Sequence, residues 1–118
     1  MRYMLLIYND EAAMANVPRD KTEQTLAAYG AYTEALKKSG AYLAGERLRP
    51  TQAATSIRMA DGKTNVLDGP YADTKEQLAG FYLVDANDLD EAIQLASKIP
   101  PARVGSIEVR PVRELVVQ

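Results

Sequence analysis

MRYMLLIYND, residues Met1 to Asp10, is the stretch that decides the fold. Residues 2–8 form a nearly continuous apolar run closed by Asn9-Asp10, and that length with those flanks predicts a strand. Successive side chains of a strand point to opposite faces, giving one row of Tyr3, Leu5 and Ile7 and another of Met4, Leu6 and Tyr8. Both rows are apolar. The strand is therefore expected at the centre of a sheet and covered on both sides. Gly80-Phe81-Tyr82-Leu83-Val84 repeats the pattern and is the other candidate central strand.

Working outward, residues 11–19 read as a loop. Asp20-Lys21-Thr22-Glu23 then has the form of a capping box opening a helix. Leu26, Tyr29, Tyr32 or Thr33, and Leu36 recur at helical spacing, with Glu34 and Lys38 as an i,i+4 pair on the wet side. Gly40 is placed to end this helix in a left-handed conformation. Gly30, inside it, is expected to mark close packing against the sheet, with a ligand contact as the alternative. Ala41 to Leu48 reads as a strand, and Asp61-Gly62 joins two β-type segments as a hairpin. Asp88-Leu89-Asp90-Glu91 opens a second helix with stripe Leu89, Ala92, Ile93, Ala96 and Ile99, stopped by Pro100-Pro101. Ser106 to Arg110 alternates as a half-exposed strand, and Pro111 marks it as an edge.

The order is β-α-β-(hairpin)-β-α-β, an α+β chain of ferredoxin-like type, a split βαβ with an extra hairpin strand, in one domain over residues 1–118. Two helices cover one face of such a sheet. The other apolar face would stay wet at a cost of roughly 25 cal/mol per Å². A homodimer packed through the open sheet faces removes that cost.

Composition excludes several chemistries. With no cysteine there is no disulfide and no thiolate; with no histidine the commonest neutral-pH proton carrier and metal ligand is missing. No metal and no cofactor is expected, and acid–base work falls to Asp, Glu, Lys, Arg or Tyr. A net charge of -2 argues against nucleic acid as a partner. The apolar start is too short to span a membrane or to act as a cleaved leader, so no membrane partner and a cytoplasmic location are the expectation.

Several blocks together resemble a known family. They are Met4-Leu5-Leu6-Ile7-Tyr8, Gly45-Glu46-Arg47-Leu48-Arg49-Pro50, Asp68-Gly69-Pro70-Tyr71-Ala72-Asp73-Thr74-Lys75-Glu76, Gly80-Phe81-Tyr82, Asp88-Leu89-Asp90-Glu91-Ala92 and Ile107-Glu108-Val109-Arg110-Pro111. In order and spacing they resemble the DGPF branch of the YCII-related proteins, with Tyr71 in place of the usual Phe. The resemblance implies a dimeric α+β barrel. It also implies a link, in some members, to alternative sigma factors. The His–Asp pair thought to serve enzymes of the wider group has no counterpart in a chain without histidine.

The residues leave two readings of function. In the first, the protein binds or transforms a small acidic or aromatic molecule in a cleft near Asp68, which acts as acid or base. Arg58, Tyr71, Lys75 and Glu76 then orient the ligand, with Glu46 and Arg47 as a second candidate pair for an acid group. In the second, it is a non-catalytic dimeric regulatory module that docks another protein.

Overall fold

The computed structural model describes residues 1–100 and 105–115. The opening run forms strand β1, Arg2–Asn9, and the Gly80 segment lies within β5, Gln77–Asp85. They pair antiparallel, with Leu5 opposite Tyr82 and Leu6 opposite Phe81. Strand β6, Gly105–Pro111, pairs with the free side of β1; strand β2, Tyr42–Arg47, pairs with the far side of β5. The sheet order β2-β5-β1-β6 puts both doubly apolar strands inside and leaves β6 at an edge. This mixed α+β arrangement with an antiparallel sheet is compatible with a ferredoxin-like fold.

Helices α2, Arg19–Ser39, and α3, Leu89–Ser97, cover one face. Tyr3, Leu5 and Ile7 of β1 are buried there with Tyr82 and Val84 of β5, against Tyr32, Leu36, Ala92 and Ala96. On the other face Met4, Leu6, Tyr8, Leu78, Phe81 and Leu83 stay half-exposed. The one-sided cover expected from two helices is what the chain provides. The hairpin strands β3, Thr55–Ala60, and β4, Lys63–Asp68, form a separate two-stranded sheet and do not extend the main one. Their turn has positive φ at Asp61 (51°) and Gly62 (73°), the backbone that an Asp-Gly hairpin turn requires.

Local signals were read with mixed success, for physical reasons. The 11–19 segment contains a one-turn helix α1, Glu11–Met14, because the Asp10 carboxylate accepts from the Ala13 N–H at 3.1 Å. Helix α2 starts before the expected capping box. Pro18 stands at its N-terminus with φ near -58°, and the Pro18 carbonyl accepts from both the amide and the hydroxyl of Thr22. The α3 cap forms as expected, Asp88 accepting from the Glu91 N–H at 2.9 Å. Gly40 ends α2 at φ 82°. Glu34 pairs with Lys37 at 3.8 Å and not with Lys38. Pro101 lies outside the described residues. Among the described residues no helix is long and apolar enough to cross a membrane.

Tyr32 ties the helices together. Its hydroxyl donates to the Leu95 carbonyl of α3 at 2.7 Å, and its ring meets that of Tyr82 edge-on, centroids 5.2 Å apart. Burial, with a smaller contribution from Tyr82, pushes this phenol well above its ordinary range. The unfolded chain therefore releases the proton first. Stability from Tyr32 is complete below the ordinary phenol pKa of about 10 and is lost as pH rises beyond it. Thermal melts from pH 8 to 11 should fall less steeply in Tyr32→Phe than in the wild type. At neutral pH that variant should cost about 1 kcal/mol for the lost hydrogen bond.

Candidate functional site

Three glycines make room for a cleft between α2 and the sheet. Glycine removes the side chain at Gly45 and Gly80 on the floor and at Gly30 in the helix above, and all three line one cavity of about 670 Å³. A Cβ on Gly45 would stand 2.8 Å from the Tyr82 ring, and one on Gly80 would stand 2.7 Å from the Glu46 carbonyl oxygen. The floor strands pack closely because those side chains are missing. Gly30 differs. A Cβ there would meet nothing within 4 Å, so the expectation that Gly30 packs against the sheet is corrected: it faces open space.

The rest of the lining is mostly apolar, from Ile7, Met14, Val17, Leu26 and Leu48, with a few polar groups. This is the usual make-up of a small-molecule site, and the volume lies in the usual range of roughly 300–1,000 Å³. The Thr33 hydroxyl donates to the Tyr29 carbonyl at 2.9 Å. Its only proton is used there, so the 2.8 Å contact with Tyr82 has the Tyr82 hydroxyl as donor. Burial raises the Tyr29 phenol above its ordinary value, Tyr82 adds to this, and the nearby Arg47 guanidinium opposes it. Tyr29 therefore keeps its proton and offers a donor. Asn9, the last residue of the covered row of β1, also lines the cleft, and its side-chain Oδ1 is buried with no partner among the described residues.

A polar network stands just past the end of β1. The Glu11 carboxylate accepts from the amide (2.9 Å) and the hydroxyl (2.7 Å) of Thr51, while the Glu11 N–H donates to Gln77 Oε1. This fixes the 48–54 connection, with its 3-10 turn Thr51–Ala53, against β5.

The candidate residues read from the sequence fall in three places. Glu46 and Arg47 line the 670 Å³ cleft; Arg47 sits opposite Gly80, and the pleat alternates it with Glu46, which is opposite Phe81 on the other face. Among the described residues Arg47 has no ion-pair partner. Tyr71 and Glu76 line a second cavity of about 560 Å³ beneath the base of the hairpin, with Tyr8, Arg49 and Thr51. Tyr71 is 80% exposed, and Glu76 accepts from the Ser106 hydroxyl at 3.1 Å. Asp68, Arg58 and Lys75 are exposed and line neither cavity. Asp68 pairs with Thr55, and Arg58 with Asn65 three positions along, so the pleat sets Asp68 and Arg58 on opposite faces of the hairpin. The seven residues do not converge. Among the described residues no group of three or more carboxylates is placed to hold a metal ion.

Asn9, Gly45, Gly80, Thr33 and Tyr82 were not among the candidates read from the sequence. One of them left a trace there: counting in twos along Tyr3, Leu5 and Ile7 puts Asn9 on the covered face, where an unpaired amide is unusual.

Comparison with known proteins identifies the family of the chain. An uncharacterised protein of Rhizobium meliloti (strain 1021) is 41% identical over 113 residues, covering 94% of this chain and 91% of the relative. The YCII-related domain matches residues 1–116, from the first strand to the C-terminal side of the last. The chain belongs to the YCII-related family.

Proposed function

We propose that this protein binds a small acidic or aromatic molecule in the cleft under α2, as a homodimer of the DGPF branch of its family. The observation that carries the reading is the cleft itself: a mostly apolar cavity lined by Arg47, which has no ion-pair partner among the described residues. The branch assignment rests on Asp68-Gly69-Pro70-Tyr71. Support for the dimer comes from surface area. A compact chain of 12.9 kDa exposes about 6,300 Å², so the 8751 Å² of this subunit is an excess of about 2,400 Å². An obligate dimer interface covers surface on that scale, and the half-exposed apolar sheet face supplies its centre.

In the enzymatic form of this proposal Asp68 is the acid–base group, and Arg58, on the opposite face of the hairpin, is not its partner within the same subunit. Asp68 reaches a cleft only if the hairpin of one subunit lies against the other. The alternative, a docking module for a regulatory partner such as a sigma factor, draws on the same hairpin: Ile57, Met59 and Val66 are more than half exposed.

The test is a thermal-shift screen of small aromatic and aliphatic acids on wild type, Gly30→Leu and Asp68→Asn. A ligand at a hundred times its Kd should stabilise the wild type by about 2.7 kcal/mol. Gly30→Leu puts a side chain into open space and replaces the poorest non-proline helix former, so it should fold at least as well as wild type and lose the ligand shift. Ligands that stabilise Gly30→Leu as well as wild type would sink the cleft as the site. An unchanged shift in Asp68→Asn would remove Asp68 from binding.

A further inference from the structure

We infer that the β3–β4 hairpin is an arm that seats on a second copy of this chain with its apolar face inward. The inference rests on the homodimer proposed above and adds that the open sheet faces alone do not make its interface.

Alternation along the two strands gives the hairpin unlike faces. Ile57 and Val66 are cross-strand partners and Met59 lies two residues along, so the three share one face, with Asp68 at its base. The opposite face carries Ser56, Arg58, Lys63 and Asn65, with Leu67 near the base. An apolar row backed by a charged one is the pattern of a sheet with one face covered. Here the subunit covers neither. Ile57 and Met59 are each 66% exposed, and Val66 is 61% exposed. Among the described residues, the hydrogen bonds of these strands run only between themselves and to Gly69 at their base. A two-stranded hairpin with no further support is marginal in water, and a wet apolar face makes it more so.

Shape and area identify the cover as a second copy. The subunit measures 53 × 47 × 18 Å, with a radius of gyration of 16.5 Å where a compact chain of this length has about 13.5 Å. The hairpin forms its own sheet and reaches away from the main one. Its base stands on the open side of the main sheet. The 560 Å³ cavity is lined there by Tyr8 and Leu78 of the open face and by Ser56, Pro70 and Tyr71 of the hairpin base, with no residue of α2 or α3. A copy laid on the open face therefore lies beside the arm, and two-fold symmetry gives each copy the other's arm.

The open face by itself is too small an interface. Four strands about 4.8 Å apart and about eight residues long have a footprint of about 500 Å². A standard interface takes about 800 Å² from each partner. The excess surface of this subunit is larger still, about 2,400 Å². A different protein seated on the arm would leave the open face wet, whereas a second copy covers both. Seating the arm also turns Asp68 toward the second copy and leaves Arg58 and Lys63 in water.

Those two cations make the arm testable, because trypsin cuts after them only when a strand peels away from its support. Purified protein is digested over a concentration series, with the dimer fraction followed by light scattering and the cuts located by mass spectrometry. Cuts after Lys37 and Lys38 in α2 report unfolding of the body. In the dimer, cutting after Arg58 and Lys63 should be at least about tenfold slower than in dilute monomer, since protection follows the population of the seated arm. The double variant Ile57→Ser with Val66→Ser changes only exposed side chains, so its body should fold. It should lose the arm's protection at every concentration while its α2 sites stay uncut. A wild-type dimer whose arm is cut as fast as the monomer's would overturn the inference and leave the dimer standing. Slow cutting that ignores the dimer fraction, or that persists in the double variant, would show a self-supporting hairpin and overturn it as well. A wild type that is monomeric at micromolar concentration removes the dimer and the inference together.

Discussion

Gly80→Ala should lower the melting temperature by on the order of 10 °C, more than any other single-methyl addition to the sheet. The added Cβ would stand 2.7 Å from the Glu46 carbonyl oxygen and 3.3 Å from the Arg47 Cα, both backbone atoms of the paired strand β2. A side chain could swing aside, but the backbone of β2 cannot move away without breaking its pairing with β5. The β2–β5 pairing must open locally, and overpacking of this kind costs about 3 kcal/mol. Gly45→Ala meets a side chain instead, the Tyr82 ring at 2.8 Å. That ring is held by Thr33 and by its edge-on contact with Tyr32, so its movement is also resisted, though less than a backbone's. Denaturant melts of both variants check the order. Equal stability of Gly80→Ala and wild type would show that the close approach of β2 and β5 does not set the cleft floor.

This contrast shows what a sequence can and cannot disclose. The two central strands were legible because a period of two with apolar residues on both faces admits few other readings. The hairpin was legible because Asp61-Gly62 supplies the positive φ values that its turn demands. Helix ends were less so: Asp20 had the capping pattern, but Pro18 two residues earlier already had the φ of a helix start. The site was the least legible part. It is built from missing side chains, and a glycine in the sequence does not say whether it faces a clash, as Gly80 does, or empty space, as Gly30 does. Charged residues drew attention instead, and Asp68, Arg58 and Lys75 turned out to stand on or beside a projecting hairpin. A pattern of residue types ranks Asp above Asn as a functional group; only the packing shows that Asn9 has a buried atom without a partner.

In the proposed homodimer, Leu6→Glu should shift the assembly to monomer at micromolar concentration and cost it much of its stability. Leu6 sits at the middle of the open face, paired across strands with Phe81 and flanked by Met4 and Tyr8. Its neighbours outward are Glu108 on β6 and, beyond Phe81, Glu46 on β2, so charge is confined to the edges of an apolar centre. That is the make-up of an interface core with a polar rim. In a two-fold dimer built on this face the substituted position lies near the symmetry axis, so two carboxylates would be buried close together. An unpaired buried carboxylate costs several kcal/mol, and two like charges cost more. The same substitution on a solvent-exposed sheet face would be nearly neutral, since glutamate is only a mildly poor strand former. The two cases separate cleanly by light scattering and by melting temperature at two protein concentrations. A dimeric wild type with a monomeric, concentration-independent Leu6→Glu places the interface on this face. A wild type that is itself monomeric, or a Leu6→Glu variant that stays dimeric and stable, would leave the excess surface to the hairpin and remove the sheet face from the assembly.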